Sequence, residues 1–191
     1  MRLLLIGPPG SGKGTQATRI GNHYGIAHIS SGELLRRQVE LDTAIGRAVR
    51  DQLSSGDLVS DGIVMDLLRR PVETANRQGG YVLDGFPRTV AQAEAAYEHA
   101  VAADRTLHAV VCLDISHDLL LERIEDRGRS SGRSDDTPST VLHRIEEYEQ
   151  KTLPLLDYYA QREKLVQVNG ARPVSEVSWS IAVQLQRFRS L

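Results

Sequence analysis

The sequence is short of cysteine, of aromatic side chains and of long apolar runs. Its single cysteine, Cys112, excludes an intramolecular disulfide and any zinc site built from several cysteines. No apolar run approaches the length needed to cross a bilayer, and the run at residues 3–6 is too short for a signal peptide and has no cleavage site. We therefore expect a cytoplasmic protein with no membrane partner.

An excess of positive charge is absent as well. The formal net charge is −2, which excludes a uniformly basic nucleic-acid binder, so no nucleic-acid partner is expected. The six histidines are scattered along the chain. Neither a Ser-His-Asp set nor a Cys-His set is apparent, and nucleophilic catalysis by such a set is not predicted.

What is present suits one globular domain. The chain has 191 residues, of which 40 % are hydrophobic and 25 % are charged. At this length roughly 70 % of the unfolded chain's surface can be buried on folding, so no disulfide or metal is needed for stability. Because the sequence shows neither an internal repeat nor a linker, we expect residues 1–191 to form a single domain.

Short apolar runs alternate with helical patterns along the chain. Such runs are typical of strands covered on both faces, so the alternation predicts an α/β fold with a mostly parallel sheet. The predicted strands lie at residues 3–6, 26–29, 81–83, 109–113 and 165–168.

Helix boundaries are predicted from capping residues and prolines. Ser30 begins a capping box and should open a helix. Asp61 is expected to cap a helix that ends before Pro71, since proline lacks the N–H that a helix interior requires. For the same reason Pro154 is expected to kink or break the helical stretch at about residues 139–159.

A glycine-rich segment, Gly7-Pro8-Pro9-Gly10-Ser11-Gly12-Lys13-Gly14-Thr15, follows the first predicted strand and opens a helix. Glycines let the backbone fold around phosphates with its N–H groups pointing inward, and the helix N-terminus adds positive potential. Lys13 is placed to reach the outer phosphates. The match to Gly-x-x-x-x-Gly-Lys-Ser/Thr is incomplete, because Gly14 takes the hydroxyl position and Thr15 comes one residue later. The segment predicts a nucleotide polyphosphate site.

Asp84 ends an apolar strand. A carboxylate there can hold Mg²⁺ through water beside a phosphate-binding loop. Taken alone, the Asp84-Gly85 dipeptide is more often a simple turn. The glycine-rich loop upstream and Phe86-Pro87-Arg88 downstream favour the metal site.

The glycine-rich loop resembles that of the nucleoside monophosphate kinases, and among them the adenylate kinases. Other segments similar to this family's motifs follow in the same order, and together they cover essentially the whole chain. They are residues 29–36, 56–61, 83–92 (with Asp84-Gly85-Phe86-Pro87-Arg88), 127–129 and 133–136, then Arg144 and residues 169–170.

The resemblance implies a three-layer P-loop NTPase fold with a five-stranded parallel sheet. It also implies a helical segment that binds the monophosphate, at about residues 30–59, and a short lid loop, at about residues 126–136. The activity it implies is reversible transfer of the terminal phosphoryl group of MgATP to AMP, giving two ADP. The protein would be a monomer that uses Mg²⁺ and has no structural zinc.

The resemblance also assigns site residues. It places ATP at Gly10, Ser11, Gly12, Lys13, Gly14, Thr15, Arg123, Arg127 and Arg172. It places AMP at Ser31, Arg36, Asp57, Leu58, Val59, Gly85, Phe86, Pro87, Arg88, Gln92, Arg133 and Arg144. Mg²⁺ is expected at Thr15 and Asp84, through water, and the transfer itself is assigned to Lys13, Arg88, Arg127, Arg133 and Arg144.

The reaction needs no general base, because the nucleophile is a phosphate oxygen that is already largely ionised at neutral pH. Catalysis is then positioning and stabilisation of charge on the moving phosphoryl group. Guanidinium groups match phosphate oxygens geometrically, which explains the number of arginines in the assigned set.

The identity of the acceptor base depends on few residues. The resemblance implies that Gln92 reads adenine, and a glutamine amide can pair with the N6 donor and an adjacent ring acceptor. Ser31 stands where adenylate kinases usually carry threonine, and Asp57 replaces a lysine common in relatives, which lessens the positive potential near the acceptor. Two alternatives stay open: a UMP/CMP kinase, and a nucleotide-binding regulator that lost transfer.

Overall fold

Strands and helices alternate along the chain. The structure, a computed structural model, describes residues 1–130 and 137–188, without the side chains of 124–130 and 138. The strands are β1 (Arg2–Ile6), β2 (Ala27–Ser30), β3 (Tyr81–Asp84), β4 (Ala109–Asp114) and β5 (Leu165–Asn169). The helices are α1 (Lys13–Tyr24), α2 (Ser31–Glu40), α3 (Ala44–Ser55), α4 (Asp61–Arg77), α5 (Val90–Ala102), α6 (His117–Ser130), α7 (Pro138–Glu147), α8 (Leu155–Ala160) and α9 (Val174–Leu185), with a π-helical turn at Tyr148–Thr152.

The five strands form one parallel sheet in the order β2-β3-β1-β4-β5. This confirms the predicted α/β fold and its five-stranded sheet. The strand order reverses at β1, which lies between β3 and β4. In open α/β sheets ligands bind beyond the carboxyl ends of the strands at such a reversal. The predicted phosphate-binding segment follows β1, and the predicted metal ligand Asp84 stands at the end of β3. The topology therefore brings the two together.

Two apolar cores cover the two faces of the sheet. Successive side chains of a strand point to opposite faces, so Leu3 and Leu5 of β1 join one core and Leu4 and Ile6 join the other. The first core is closed by α1 and α9, and the second by α2, α3, α4, α5 and α8. These layers hold β1 rigidly, and with it the loop that follows.

Helix α4 differs from its prediction at both ends. Ser60, not Asp61, is the N-cap residue, and the helix continues through Pro71 to Arg77. Proline in a helix interior costs about 3 kcal/mol. Val64 and Leu68 before the proline and Ala75 after it are all buried, and packing of that continuous face offsets the cost. No helix in the described part of the chain combines the length and the apolar character needed to span a bilayer.

The other helix boundaries follow the sequence more closely. Ser30 is the N-cap of α2 and its hydroxyl accepts from the backbone N–H of Glu33, as the capping box predicts. The break at Pro154 is confirmed, since α8 begins directly after it. Helix α6 continues to Ser130, so the first residues of the predicted lid loop are helical. Residues 131–136 lie outside the described part of the chain.

Cys112 is buried within β4, and burial raises the pKa of its thiol to about 11. A protonated and inaccessible thiol is unreactive. We therefore expect an aromatic disulfide reagent at about pH 8 to leave the native protein unmodified and to release one equivalent of thiolate per chain after denaturation. Cys112→Ser is the blank for the absorbance measurement, and rapid stoichiometric release from the native protein would contradict the predicted burial.

Candidate active site

A cleft of about 720 Å³ lies at the carboxyl edge of the sheet. It is bordered by the loops after β1 and β3, by α2, by the end of α3 and by α6 and α7. Of the residues predicted for the site, those that line the cleft are Gly10, Gly12, Lys13, Gly14, Thr15, Arg36, Asp57, Leu58, Asp84, Gly85, Pro87, Arg88, Arg123 and Arg144.

The loop after β1 turns into α1 through Gly12. Gly12 is the N-cap residue and has φ +90°, a left-handed conformation that favours glycine over any residue with a Cβ. The Lys13 ammonium donates to the carbonyl oxygens of Gly7 (2.7 Å) and Pro8 (2.8 Å). An ammonium has three donors, so the lysine is held across the loop with one N–H left over.

The charge of Lys13 is set by competing neighbours. Burial lowers the pKa of the ammonium most strongly, the nearby Asp84 carboxylate raises it, and Arg88 lowers it. Burial also lowers the pKa of the Arg88 guanidinium, and the Asp84 carboxylate raises it. Asp84 is therefore close enough to both cations to influence their charge, at the point where the phosphate loop and the loop after β3 meet.

Arg88 is held at three points. Its backbone N–H donates to Gln92 Oε1 (2.6 Å), its carbonyl oxygen accepts from Thr152 Oγ1 (2.9 Å), and its Nε donates to the carbonyl oxygen of Gly85 (2.9 Å). These contacts fix both the backbone and the root of the guanidinium. Arg88 is thus pre-positioned for a ligand rather than ordered by one.

Gly85 is required by the close approach of two elements. It has φ +82°, and a Cβ there would lie 2.6 Å from Oγ of Ser31. Ser31, at the start of α2, is buried. The glycine therefore lets the loop after β3 lie directly against α2, which brings Arg88 beside the element that carries Arg36.

Several guanidinium groups converge on the cleft. In addition to the effects of burial and of Asp84, the positive charges of Arg144 and Arg36 lower the pKa of Arg88. Arg123 enters from α6, where its guanidinium donates to the carbonyl oxygens of Gly170 (3.0 Å) and Ala171 (3.4 Å). Mutual repulsion among these cations is unfavourable without a counterion, so the arrangement suits a ligand with several negative charges.

Helix α7 is joined to the end of α3 across the cleft. Arg144 Nη2 donates to the carbonyl oxygen of Leu53 (3.1 Å), and Nε2 of His143 lies 2.8 Å from Oδ1 of Asp57. Asp57 also accepts from Ser55 Oγ (2.6 Å), and this bond and the one with His143 lower the pKa of its carboxyl group. The Asp57 carboxylate is therefore hydrogen-bonded both to its own segment and to α7.

Some predicted residues lie outside the cleft lining. Those that are buried beside it are Ser11, Ser31, Val59, Phe86 and Gln92. Arg172 is exposed, lies 3.8 Å from Glu176 and is not among the residues that line the cleft. The side chain of Arg127 and the whole of Arg133 lie outside the described residues.

Sequence reasoning missed three lining residues on the helical stretch after residue 138. They are Glu147, Tyr148 and Thr152. Tyr148 lies four residues after Arg144, and residues spaced by four share a helix face, so the spacing held a usable signal. No sequence signal indicated Thr152. It enters the site through the π-helical turn, whose wider winding changes the face that each residue presents.

Oxygen donors suited to a hard divalent cation lie beside the loop. The Asp84 carboxylate and the Thr15 hydroxyl both line the cleft, and carboxylate and hydroxyl oxygens are ligands that Mg²⁺ accepts. Within residues 1–130 and 137–188 no three His, Cys, Asp or Glu side chains cluster as a metal site. This donor set fits a cation held by one carboxylate, water and substrate phosphates.

Comparison with known proteins gives a consistent result. The family model described as "Adenylate kinase" matches residues 5–164. The chain is 44 % identical over 187 residues to a protein named adenylate kinase from Xanthomonas euvesicatoria pv. vesicatoria (strain 85-10), covering 98 % of this chain and 100 % of the relative. It is 41 % identical over 186 residues to one of the same name from Stenotrophomonas maltophilia (strain R551-3), covering 97 % and 100 %.

Proposed function

The chain belongs to the adenylate kinase family, and on that premise we propose that it transfers the terminal phosphoryl group of MgATP reversibly to AMP, giving two ADP. One observation carries the proposal beyond the family match. Lys13 on the phosphate loop and the guanidinium groups of Arg36, Arg88 and Arg144 line one cleft, although they come from four separate elements. A site that only bound ATP would need the loop and its lysine, not the arginines on the other wall.

The donor nucleotide is assigned to the loop side of the cleft. The backbone N–H groups from Gly10 to Thr15 would surround its phosphates, with the α1 N-terminus contributing positive potential. Lys13 has an N–H left for a phosphate oxygen after its two carbonyl contacts. Arg123 is fixed to the turn after β5, and we place the donor's base near it. We do not include Arg172, because it lies outside the cleft lining.

Mg²⁺ is assigned to Asp84 and Thr15, which would hold it partly through water. When bound, the ion neutralises charge on the donor phosphates. Burial lowers the pKa of Lys13 and of Arg88, and the Asp84 carboxylate opposes that lowering at both groups.

The acceptor is assigned to the opposite wall. Arg36 and Arg88 would bind the AMP phosphate with forked hydrogen bonds, and Arg144 would lie toward the transferring group. The backbone of residues 57–59 and 85–87 would border the nucleoside. No proton needs to be removed from the acceptor, so these residues act by orientation and charge stabilisation.

Water competes with AMP for the phosphoryl group, so the site must exclude it during transfer. We assign this role to the charged segment 126–136, as a short lid, together with segment 30–59. Arg127 and Arg133 belong to the proposed lid through the family resemblance alone. We also propose that the chain acts as a monomer, because one copy supplies every element that borders the cleft.

Acceptor profiling tests the proposed function. With MgATP as donor, we expect turnover with AMP to exceed that with CMP, UMP or GMP by at least about tenfold in kcat/KM, measured by coupled detection of the nucleotide products. Equal or better turnover with CMP would favour a UMP/CMP kinase. Absence of turnover with all four acceptors would favour a nucleotide-binding regulator.

A further inference from the structure

The side chain of Gln92 is bonded at both ends. It lies in the first turn of α5, is only 4 % exposed, and follows Arg88 by one helical turn. Its Oε1 accepts from the backbone N–H of Arg88 (2.6 Å), and its Nε2 donates to Oδ1 of Asp61 (2.6 Å). Asp61 is exposed and belongs to α4, so this second bond joins two helices.

These two partners leave the amide one orientation. A backbone N–H can only donate and a carboxylate can only accept, so a flipped amide would face Arg88 donor to donor and Asp61 acceptor to acceptor. The orientation follows from the partners and does not depend on how the amide atoms were assigned. One lone pair of Oε1 and one N–H of Nε2 stay available, side by side and in a fixed order.

The side chain of Asp61 bonds to a residue that is remote in the sequence. Asp61 is the first residue of α4, where a carboxylate commonly accepts from backbone N–H groups, and the N-cap residue Ser60 makes no side-chain cap bond. The Asp61 carboxylate accepts from the Gln92 amide, 31 residues away in the sequence. The fold therefore directs this carboxylate to the side chain expected to read the acceptor base.

We propose that Asp61 is a specificity-determining residue, which fixes the Gln92 amide so that it accepts only bases with an amino group beside an unprotonated ring nitrogen. Adenine has this pattern at N6 and N1, and hypoxanthine has the reverse, an oxo group beside a protonated nitrogen. The fixed amide can hydrogen-bond to both groups of adenine. With hypoxanthine, acceptor would face acceptor and donor would face donor. This inference rests on the proposed function, in which Gln92 reads the base of the monophosphate.

The test compares AMP with inosine monophosphate, which differs only at this edge of the base. Asp61→Asn gives Gln92 a partner that can donate or accept, so the flipped amide is no longer opposed at position 61 and is opposed by the Arg88 N–H alone. We expect the ratio of kcat/KM for AMP to that for inosine monophosphate to fall by about tenfold, the effect of one hydrogen bond to a charged group. Asp66→Asn, on the same helix and paired with exposed Arg69, is the matched control and should leave the ratio unchanged.

The alternative is that Asp61 only supports Arg88 through Gln92. In that case Asp61→Asn would lower kcat/KM for both acceptors by the same factor, and the inference would be wrong. An unchanged ratio would overturn it as well. Asp61→Ala removes the carboxylate without adding a polar group, and should relax the ratio in the same direction, so the result does not depend on one variant folding.

Gln92→Ala separates failure of the inference from failure of its premise. If the preference for AMP is lost in Gln92→Ala but kept in both Asp61 variants, Gln92 reads the base without help from Asp61, and only the inference fails. If Gln92→Ala keeps the preference, the premise that Gln92 reads the base fails, and the inference with it. If the unmodified enzyme does not use AMP, the proposed function itself is wrong.

Discussion

Replacing Lys13 with alanine is expected to lower kcat for phosphoryl transfer by at least about 10²–10³-fold, the effect of removing one charge-stabilising donor from a catalytic site. The ammonium is fixed over the loop by the carbonyl oxygens of Gly7 and Pro8, with a further N–H for the substrate. Arg88, which influences the charge of Lys13, donates through Nε to the carbonyl oxygen of Gly85 and is thereby held in the loop after β3.

The measurement is a steady-state assay with saturating MgATP and AMP, with a denaturation midpoint for each variant. Lys164→Ala is the matched control, because this lysine lies before β5 and outside the cleft lining. Near-normal turnover of Lys13→Ala, with a folded protein, would show that the donor phosphates are misplaced in our assignment.

Arg88→Ala is expected to lower kcat/KM for AMP by at least about 10²–10³-fold, the range expected for kcat of Lys13→Ala. Hydrogen bonds with Gln92 and Thr152 fix the backbone of Arg88, and its Nε donates to the carbonyl oxygen of Gly85, so the guanidinium is directed before any ligand is bound. Its forked donors match a phosphate, whereas an ammonium offers a point charge, so Arg88→Lys should recover only a small part of the loss.

Stability distinguishes this loss from a folding defect. Burial, Arg144 and Arg36 all lower the pKa of Arg88, so its charge is disfavoured in the folded protein, and Asp84 and Glu147 oppose this. We therefore expect the Tm of Arg88→Ala to stay at or above that of the unmodified protein, as is common where function is built on unfavourable charge. Arg69→Ala, at an exposed pair, is the control. Full activity, or a low Tm that accounts for the loss, would contradict the role given to Arg88.

Local patterns predicted the elements well because few interactions define them. The five strands were predicted from short apolar runs, and each lies within about one residue of its predicted bounds. The cap at Ser30 depends on Glu33, three residues along the chain, so the local sequence contains both partners. The boundaries that were wrong depend on remote partners: Pro71 stays within α4 because of packing against other layers, and Asp61 bonds Gln92 instead of capping its helix.

By itself the sequence determined the α/β alternation, the phosphate-binding loop and the family motifs, because each depends on residues that are close together in the sequence. Only the tertiary structure decided which side chains share the cleft, since that depends on where the carboxyl ends of β1 and β3 meet and how α7 packs on α3. It brought Tyr148 and Thr152 to the site and left Arg172 outside it. It also set the orientation of the Gln92 amide, which its partners on two other segments of the chain impose. The single cysteine, which excluded several functions at the outset, is a buried residue of the sheet that supports this site.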